Sequence, residues 1–137
     1  GTFGLEAVSR GAASAVLVER DGTALAAIGR NLRVLEGKGS VKVLAADAFA
    51  LPPGLGAEHG GFDIMFIDPP FAESRDGDLL EAAARLLGPN GVAVLRIPAG
   101  RSLAGRHAGL VLAREKLYGA SRVGFYRREN PAKGEAS

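Results

Sequence analysis

Apolar residues fall into two rhythms along this chain. One is the short, nearly unbroken run: Ala15-Val16-Leu17-Val18, Val41-Lys42-Val43-Leu44, Phe62-Asp63-Ile64-Met65-Phe66-Ile67 and Val92-Ala93-Val94-Leu95-Arg96-Ile97. Runs of this kind predict strands of a parallel sheet, which bury both faces and so lose the strict apolar–polar alternation. The other rhythm is a spacing of three or four. It places Leu25, Ile28, Leu32 and Leu35 on one side of Thr23–Leu35, and Leu79, Leu80, Ala83, Leu86 and Leu87 on one side of Asp76–Leu87. Both segments predict amphipathic helices. A shorter helix is expected from Thr2 to Arg10, with Phe3, Leu5, Ala7 and Val8 as its apolar positions and Gly11 as its end.

Glycine and proline punctuate these elements. Gly37 and Gly39 follow the first amphipathic helix, and the stretch from Pro52 to Gly61 reads as a loop. Gly88-Pro89-Asn90-Gly91 reads as a helix stop and a turn ahead of the strand Val92–Ile97, which Pro98 closes. Gly100–Gly109 is expected to be irregular and basic. Leu110–Tyr118 and Arg122–Arg128 alternate well enough to form a hairpin around Gly119-Ala120-Ser121. The order is helix, strand, helix, strand, strand, helix, strand, hairpin. Alternating βα units predict an α/β fold with a mostly parallel sheet, right-handed crossovers and a C-terminal antiparallel hairpin. Residues 1–129 are read as one domain and 130–137 as a polar tail.

Composition narrows the class. A chain of 137 residues with 47% hydrophobic content supplies one domain's core. No apolar run approaches the roughly 18 residues of a membrane span, and no secretory leader is visible. With zero cysteines there are no disulfides and no thiolate metal sites, and no other metal-ligand spacing occurs. These features favour a cytoplasmic protein. A net charge of +2 permits a nucleic-acid partner without requiring one.

The candidate chemistry sits where strands are expected to end. Asp68-Pro69-Pro70-Phe71 follows an apolar strand directly. Proline lacks the ladder N–H and fixes φ near about −65°, so the chain must turn rigidly there. A carboxylate and a flat ring are thereby held at the strand's carboxyl end, the edge where open α/β sheets bind ligands. A turn aspartate followed by a core phenylalanine is the plainer account, but an acid, two prolines and an aromatic in sequence form a more restricted pattern. Glu19 ends the first strand, where an acid can accept from ribose hydroxyls; Asp21 is better read as a solvated loop acid. Asp47 follows the second strand and can receive an adenine amine or cap the turn Asp47-Ala48-Phe49-Ala50. Gly1-Thr2-Phe3-Gly4 resembles a glycine turn entering a helix, where backbone N–H groups favour anionic ligands. The basic residues Arg114, Lys116, Arg122, Arg127 and Arg128 are either a solvated hairpin face or phosphate contacts beside Tyr118 and Tyr126.

Taken together, the glycine turn, Glu19, Asp47 and Asp-Pro-Pro-Phe resemble a class I S-adenosylmethionine-dependent methyltransferase. The more specific strings are Leu5-Glu6-Ala7-Val8-Ser9-Arg10-Gly11-Ala12 and Lys116-Leu117-Tyr118-Gly119, and they are similar to the RsmD family, which methylates guanine N2 in 16S rRNA. The resemblance implies a Rossmann-like sheet. It implies that Gly1, Gly4, Glu19, Asp47 and Ala48 bind S-adenosylmethionine. It also implies that Asp68 and the Pro69 carbonyl accept hydrogen bonds from the target amine, that Pro70 completes the rigid turn, and that Phe71 stacks on a flipped base. Ribosomal RNA or the small-subunit particle is the implied partner. The family carries a strand ahead of the position of Gly1, between the Glu19 and Asp68 strands, so the chain reads as N-terminally incomplete, lacking this first, central strand. Asp-Pro-Pro-Phe also occurs in DNA amino-methyltransferases. An adenine-directed DNA enzyme, an enzyme for another RNA base, and a non-catalytic nucleotide-binding fragment therefore stand as alternatives.

Overall fold

A computed structural model describes residues 14–19, 22–32, 40–45, 51, 54, 55, 57, 60–68 and 75–129. The helix expected over Thr2–Arg10 and the polar tail lie outside these residues. The chain divides into two compact units, Gly1–Leu51 and Pro52–Ser137.

In the first unit, β1 (Ser14–Glu19) and β2 (Ser40–Ala45) form a parallel pair joined through helix α1 (Gly22–Leu32). Both strands coincide with the expected apolar runs to within a residue or two at each end. Glu19 and Ala45 are register partners, so the two strands finish at the same edge.

The second unit holds a five-stranded sheet. Its strands are β3 (Phe62–Ile67), β4 (Leu87–Pro98), β5 (Arg106–His107), β6 (Leu110–Tyr118) and β7 (Ser121–Arg128), in the order β3-β4-β7-β6-β5. β3 and β4 are parallel and the remaining pairs antiparallel. Helix α2 (Asp76–Leu86) connects β3 to β4. Its Leu80 and Ala83 pack against Leu87, Ala93, Leu95 and Ile97 of β4, Leu110 of β6 and Tyr126 of β7, all buried, with Met65 and Ile67 of β3 at the margin. Burying each large aliphatic side chain contributes roughly 1.5–3 kcal/mol, so this layer is the main source of stability in the unit. Asp76 and Asp78 in the first turn and Arg85 in the last complement the helix dipole.

Three details depart from the sequence expectations. Gly88-Pro89-Asn90-Gly91 is part of β4 rather than a turn before it. Between the pairs Phe62↔Leu87 and Ile64↔Val92 the register advances two residues on β3 and five on β4, so the segment is accommodated as an irregularity in the strand. The reason is close backbone approach. A Cβ on Gly61 would lie 2.5 Å from the Gly88 nitrogen, and one on Gly91 would lie 2.6 Å from the Phe62 carbonyl oxygen. Second, α2 is not stopped by a left-handed glycine. Leu87 turns to φ −70°, ψ 141° directly after the helix. The Arg128 guanidinium then donates to the carbonyls of Ala84, Leu87 and Gly88, capping the helix end from β7. Third, the stretch Gly100–Gly109 contains β5 and a two-residue turn, Ala108-Gly109, with φ of 53° and 80°. Positive φ at both positions is the type I′ requirement, and alanine meets it at a steric cost. The hairpin expected between β6 and β7 is present, with its loop tightened to Gly119-Ala120 and Ser121 already paired with Tyr118.

Candidate active site

Alternation along β3 sorts its side chains. Met65 and Ile67 join the core, whereas Ile64 and Phe66 are 58% and 47% exposed. Asp68, two residues beyond Phe66, continues that second face just past the strand's carboxyl end. On β4 the same alternation buries Ala93, Leu95 and Ile97 and turns Val92, Val94 and Arg96 to the Asp68 side, since Ile64 pairs with Val92 and Phe66 with Val94.

This register brings Arg96 to Asp68. Arg96 Nη1 donates to Asp68 Oδ2 at 3.1 Å, and Arg96 Nε donates to Ser121 Oγ at 2.9 Å. Ser121 is buried at the start of β7, so it anchors the guanidinium to the sheet. A half-exposed pair of this kind contributes at most about 1 kcal/mol to stability; its larger effect is to fix the direction of both side chains. A carboxylate has lone pairs for several donors, so Asp68, held through one oxygen, keeps acceptor capacity for an incoming N–H.

Behind this pair a second tie closes the same edge. Arg122 donates to the Ala99 carbonyl through Nε at 3.3 Å and Nη2 at 3.0 Å, and through Nη1 to Glu115 Oε1 at 2.7 Å. The Ala99 nitrogen donates to the Ala120 carbonyl at 2.8 Å. The hairpin tip is thus fastened to the end of β4.

Of the residues singled out from sequence, Asp68 stands at the end of β3 as expected, beside two residues the sequence reading missed, Arg96 and Ser121. The available signal was Arg96 itself, the one charged residue in the run Val92–Ile97 and near that strand's carboxyl end. Glu19 ends β1, as expected, in the first unit. Gly1, Gly4, Asp47, Ala48, Pro69, Pro70 and Phe71 lie outside the described residues. His107 is half-buried against α2. Its Nε2 lies 3.3 Å from Glu81 Oε1 but in a geometry that makes no hydrogen bond. Among the described residues no group of three or more histidine or acidic side chains is arranged to hold a metal ion, and no helix is long and apolar enough to cross a membrane.

A parallel β-α-β unit with an acid at the end of its first strand, and a mixed sheet with a second such unit and an antiparallel C-terminal hairpin, are the elements of a Rossmann-like methyltransferase fold. A SAM-dependent methyltransferase resembling TehB from Corynebacterium glutamicum superposes with a TM-score of 0.67 at 15% identity, covering 94% of this chain and 75% of that one, which speaks to fold alone. The chain belongs to the family described as Conserved hypothetical protein 95, whose model matches residues 1–127. The RsmD resemblance read from the sequence is borne out by this match. It is 33% identical over 142 aligned positions to ribosomal RNA small subunit methyltransferase D of Escherichia coli, spanning 99% of this chain and 67% of that protein. A conserved hypothetical protein of Streptococcus pyogenes superposes with a TM-score of 0.77 at 32% identity, covering 91% of this chain and 78% of that one.

Proposed function

We propose that this protein transfers a methyl group from S-adenosylmethionine to the exocyclic N2 amine of a guanine in 16S rRNA, acting in the cytoplasm on rRNA or the small-subunit particle. The observation that carries the reading is the Asp68 carboxylate held at the carboxyl end of β3 by Arg96 and Ser121. Its support from kinship is the rRNA methyltransferase of Escherichia coli that this chain resembles along nearly its whole length.

An exocyclic amine is a weak nucleophile because its lone pair is delocalised into the ring. In this reading Asp68 and the Pro69 carbonyl accept hydrogen bonds from its two N–H groups and so direct the lone pair outward, with Pro70 stiffening the turn and Phe71 stacking on the base. Positioning and electrostatics of this sort supply most of the rate in such a site. When bound, S-adenosylmethionine would supply an electrophilic sulfonium methyl: an N–C bond would form as the S–C bond breaks, the neutral thioether S-adenosylhomocysteine would leave, and the surplus proton of the amine would pass to water. The donor set fits the cofactor: β1 and β2 end together, with Glu19 at that edge as a ribose acceptor. Gly1, Gly4, Asp47 and Ala48 complete the cofactor side in this reading. The target base must leave its stack, at a few kcal/mol unless already unpaired.

The test is incorporation of labelled methyl into 16S rRNA, assembled small subunits and DNA, with the product nucleoside identified by mass spectrometry. N2-methylguanosine in RNA is the expected product; N6-methyladenine in DNA would replace the reading with its rival. Asp68→Ala is expected to lower methyl transfer at least about 10³-fold while S-adenosylmethionine binding by calorimetry persists.

A further inference from the structure

The edge of the sheet that carries Asp68 continues well past it. β3 and β4 are parallel, and β7 is antiparallel to both β4 and β6, so β6 runs in the same direction as β3. The carboxyl ends of β3, β4 and β6 therefore share one edge. Register places Arg96 opposite Val123 and Val123 opposite Lys116, and places Pro98 opposite Ser121 and Ser121 opposite Tyr118. Paired residues share a face. Arg114, Lys116 and Tyr118 thus point to the Asp68–Arg96 side, as an alternating basic, basic, aromatic row on β6. Three strand spacings separate Tyr118 from Asp68, about 14 Å.

Two observations say what this row is suited to. Tyr118 is 55% exposed and neighbouring Leu117 60%, at the tip of a hairpin whose backbone is pinned by Arg122 and Ala99, so the ring is presented from an anchored backbone. Glu115, the one acid of the segment Leu110–Tyr118, alternates to the opposite face and is neutralised by Arg122. Among the described residues no ion pair occupies Arg114 or Lys116 on the site's side. A row of uncompensated cations ending in an exposed ring suits phosphates and a base, whereas an acidic or apolar protein partner would not require the ring to share an edge with the carboxylate.

We propose that β6 and the hairpin tip form a docking track for the single-stranded RNA flanking the target base, with Tyr118 stacking on a base beyond it and Arg114 and Lys116 meeting phosphates. This rests on the proposed function in that the target base is taken to sit at Asp68.

The test is fluorescence anisotropy with a 5′-labelled 15-nucleotide single-stranded RNA carrying one guanine, and with the same strand made abasic on both sides of that guanine. Tyr118→Ala is expected to weaken binding of the intact strand about ten-fold and Tyr118→Phe less than about two-fold. On the abasic strand the Tyr118→Ala penalty is expected to vanish. Replacing both Arg114 and Lys116 by glutamine is expected to flatten the plot of log affinity against log salt by about 1.4. Binding by Tyr118→Ala within two-fold of the unaltered protein overturns the track, as does an equal penalty on both strands or no RNA binding by the unaltered protein; a protein partner at the tip would give the first of these. Tyr118-dependent binding without methyl incorporation into any RNA leaves the track standing and removes the reaction instead. Thermal melts of each variant are expected to match the unaltered protein, since Arg114 and Tyr118 are exposed and Lys116 is only partly buried.

Discussion

The two faces of the five-stranded sheet are built from the same strands and do opposite work. On one, Leu95, Ile97 and Tyr126 are fully buried beneath α2, and the layer is continuous from β3 to β6. On the other, Ile64 and Phe66 are about half exposed, and the row that follows them along the strands is Asp68, Arg96, Val123 and Lys116. Neighbouring residues on β4 thus serve different ends: Leu95 and Ile97 hold the sheet to the helix, and Arg96 between them directs a carboxylate. Because side chains alternate with a period of two, a one-residue slip of β4 would bring arginine into the core and leucine to the site. The register that secures stability is also the register that assembles the chemistry.

Breaking the core face gives the largest expected effect on stability. Leu95→Ala should cost about 3 kcal/mol through lost burial and a residual cavity, read as a shift in the urea midpoint, while molecules still folded retain methyl transfer. Breaking the other face should do the reverse. Arg96→Met removes the hydrogen bond to Asp68 and the one to Ser121 that aims the guanidinium, and keeps most of the stem. We expect kcat to fall about ten-fold, near 1.4 kcal/mol, with KM for RNA, cofactor affinity and melting temperature little changed. A melting shift as large as that of Leu95→Ala would show that Arg96 is structural and would erase the contrast.

The smallest effect sharpens the core side through pH. Burial, with Asp76 and Glu115 nearby, pushes the Tyr126 hydroxyl up from 10.0 to about 12. The folded state therefore holds this proton more tightly than the unfolded chain. The resulting stabilisation is complete below pH 10 and is lost as the pH rises from about 10 to 12. Tyr126→Phe should melt slightly lower at pH 8, having lost the hydrogen bond to the Ala104 carbonyl at 2.7 Å. It should also lose less than the unaltered protein between pH 8 and pH 11.5.

How legible each region was follows from the range of its causes. β3 and α2 announce themselves because apolar rhythm and local punctuation decide them, and Asp68 could be placed because it directly follows a strand. The run from Leu87 to Gly91 could not be read correctly. Gly-Pro-Asn-Gly is a turn signal in isolation, and what draws it into β4 is the backbone of Gly61 and Phe62, far away in sequence. The end of α2 was misread for a similar reason, its cap being an arginine from β7. Arg96 and Ser121 went unnoticed as partners of Asp68 because strand order, not spacing, makes them neighbours. The roles proposed for Gly1, Gly4, Asp47, Ala48 and Asp-Pro-Pro-Phe beyond Asp68 rest on sequence and kinship.

The position of β7 has a consequence for the order in which the protein is made. It follows β6 in the chain yet lies between β4 and β6, which do not pair with each other. A nascent polypeptide that has emerged through Tyr118 carries Asp68, Arg96 and the hairpin's first strand, but as two pieces without a ladder between them. Ser121 and the strand it begins join those pieces, and the same strand caps α2 and seats the guanidinium. The Asp68–Arg96–Ser121 arrangement therefore waits on β7, so a nascent chain that has not yet reached Ser121 carries the carboxylate without the tie that directs it.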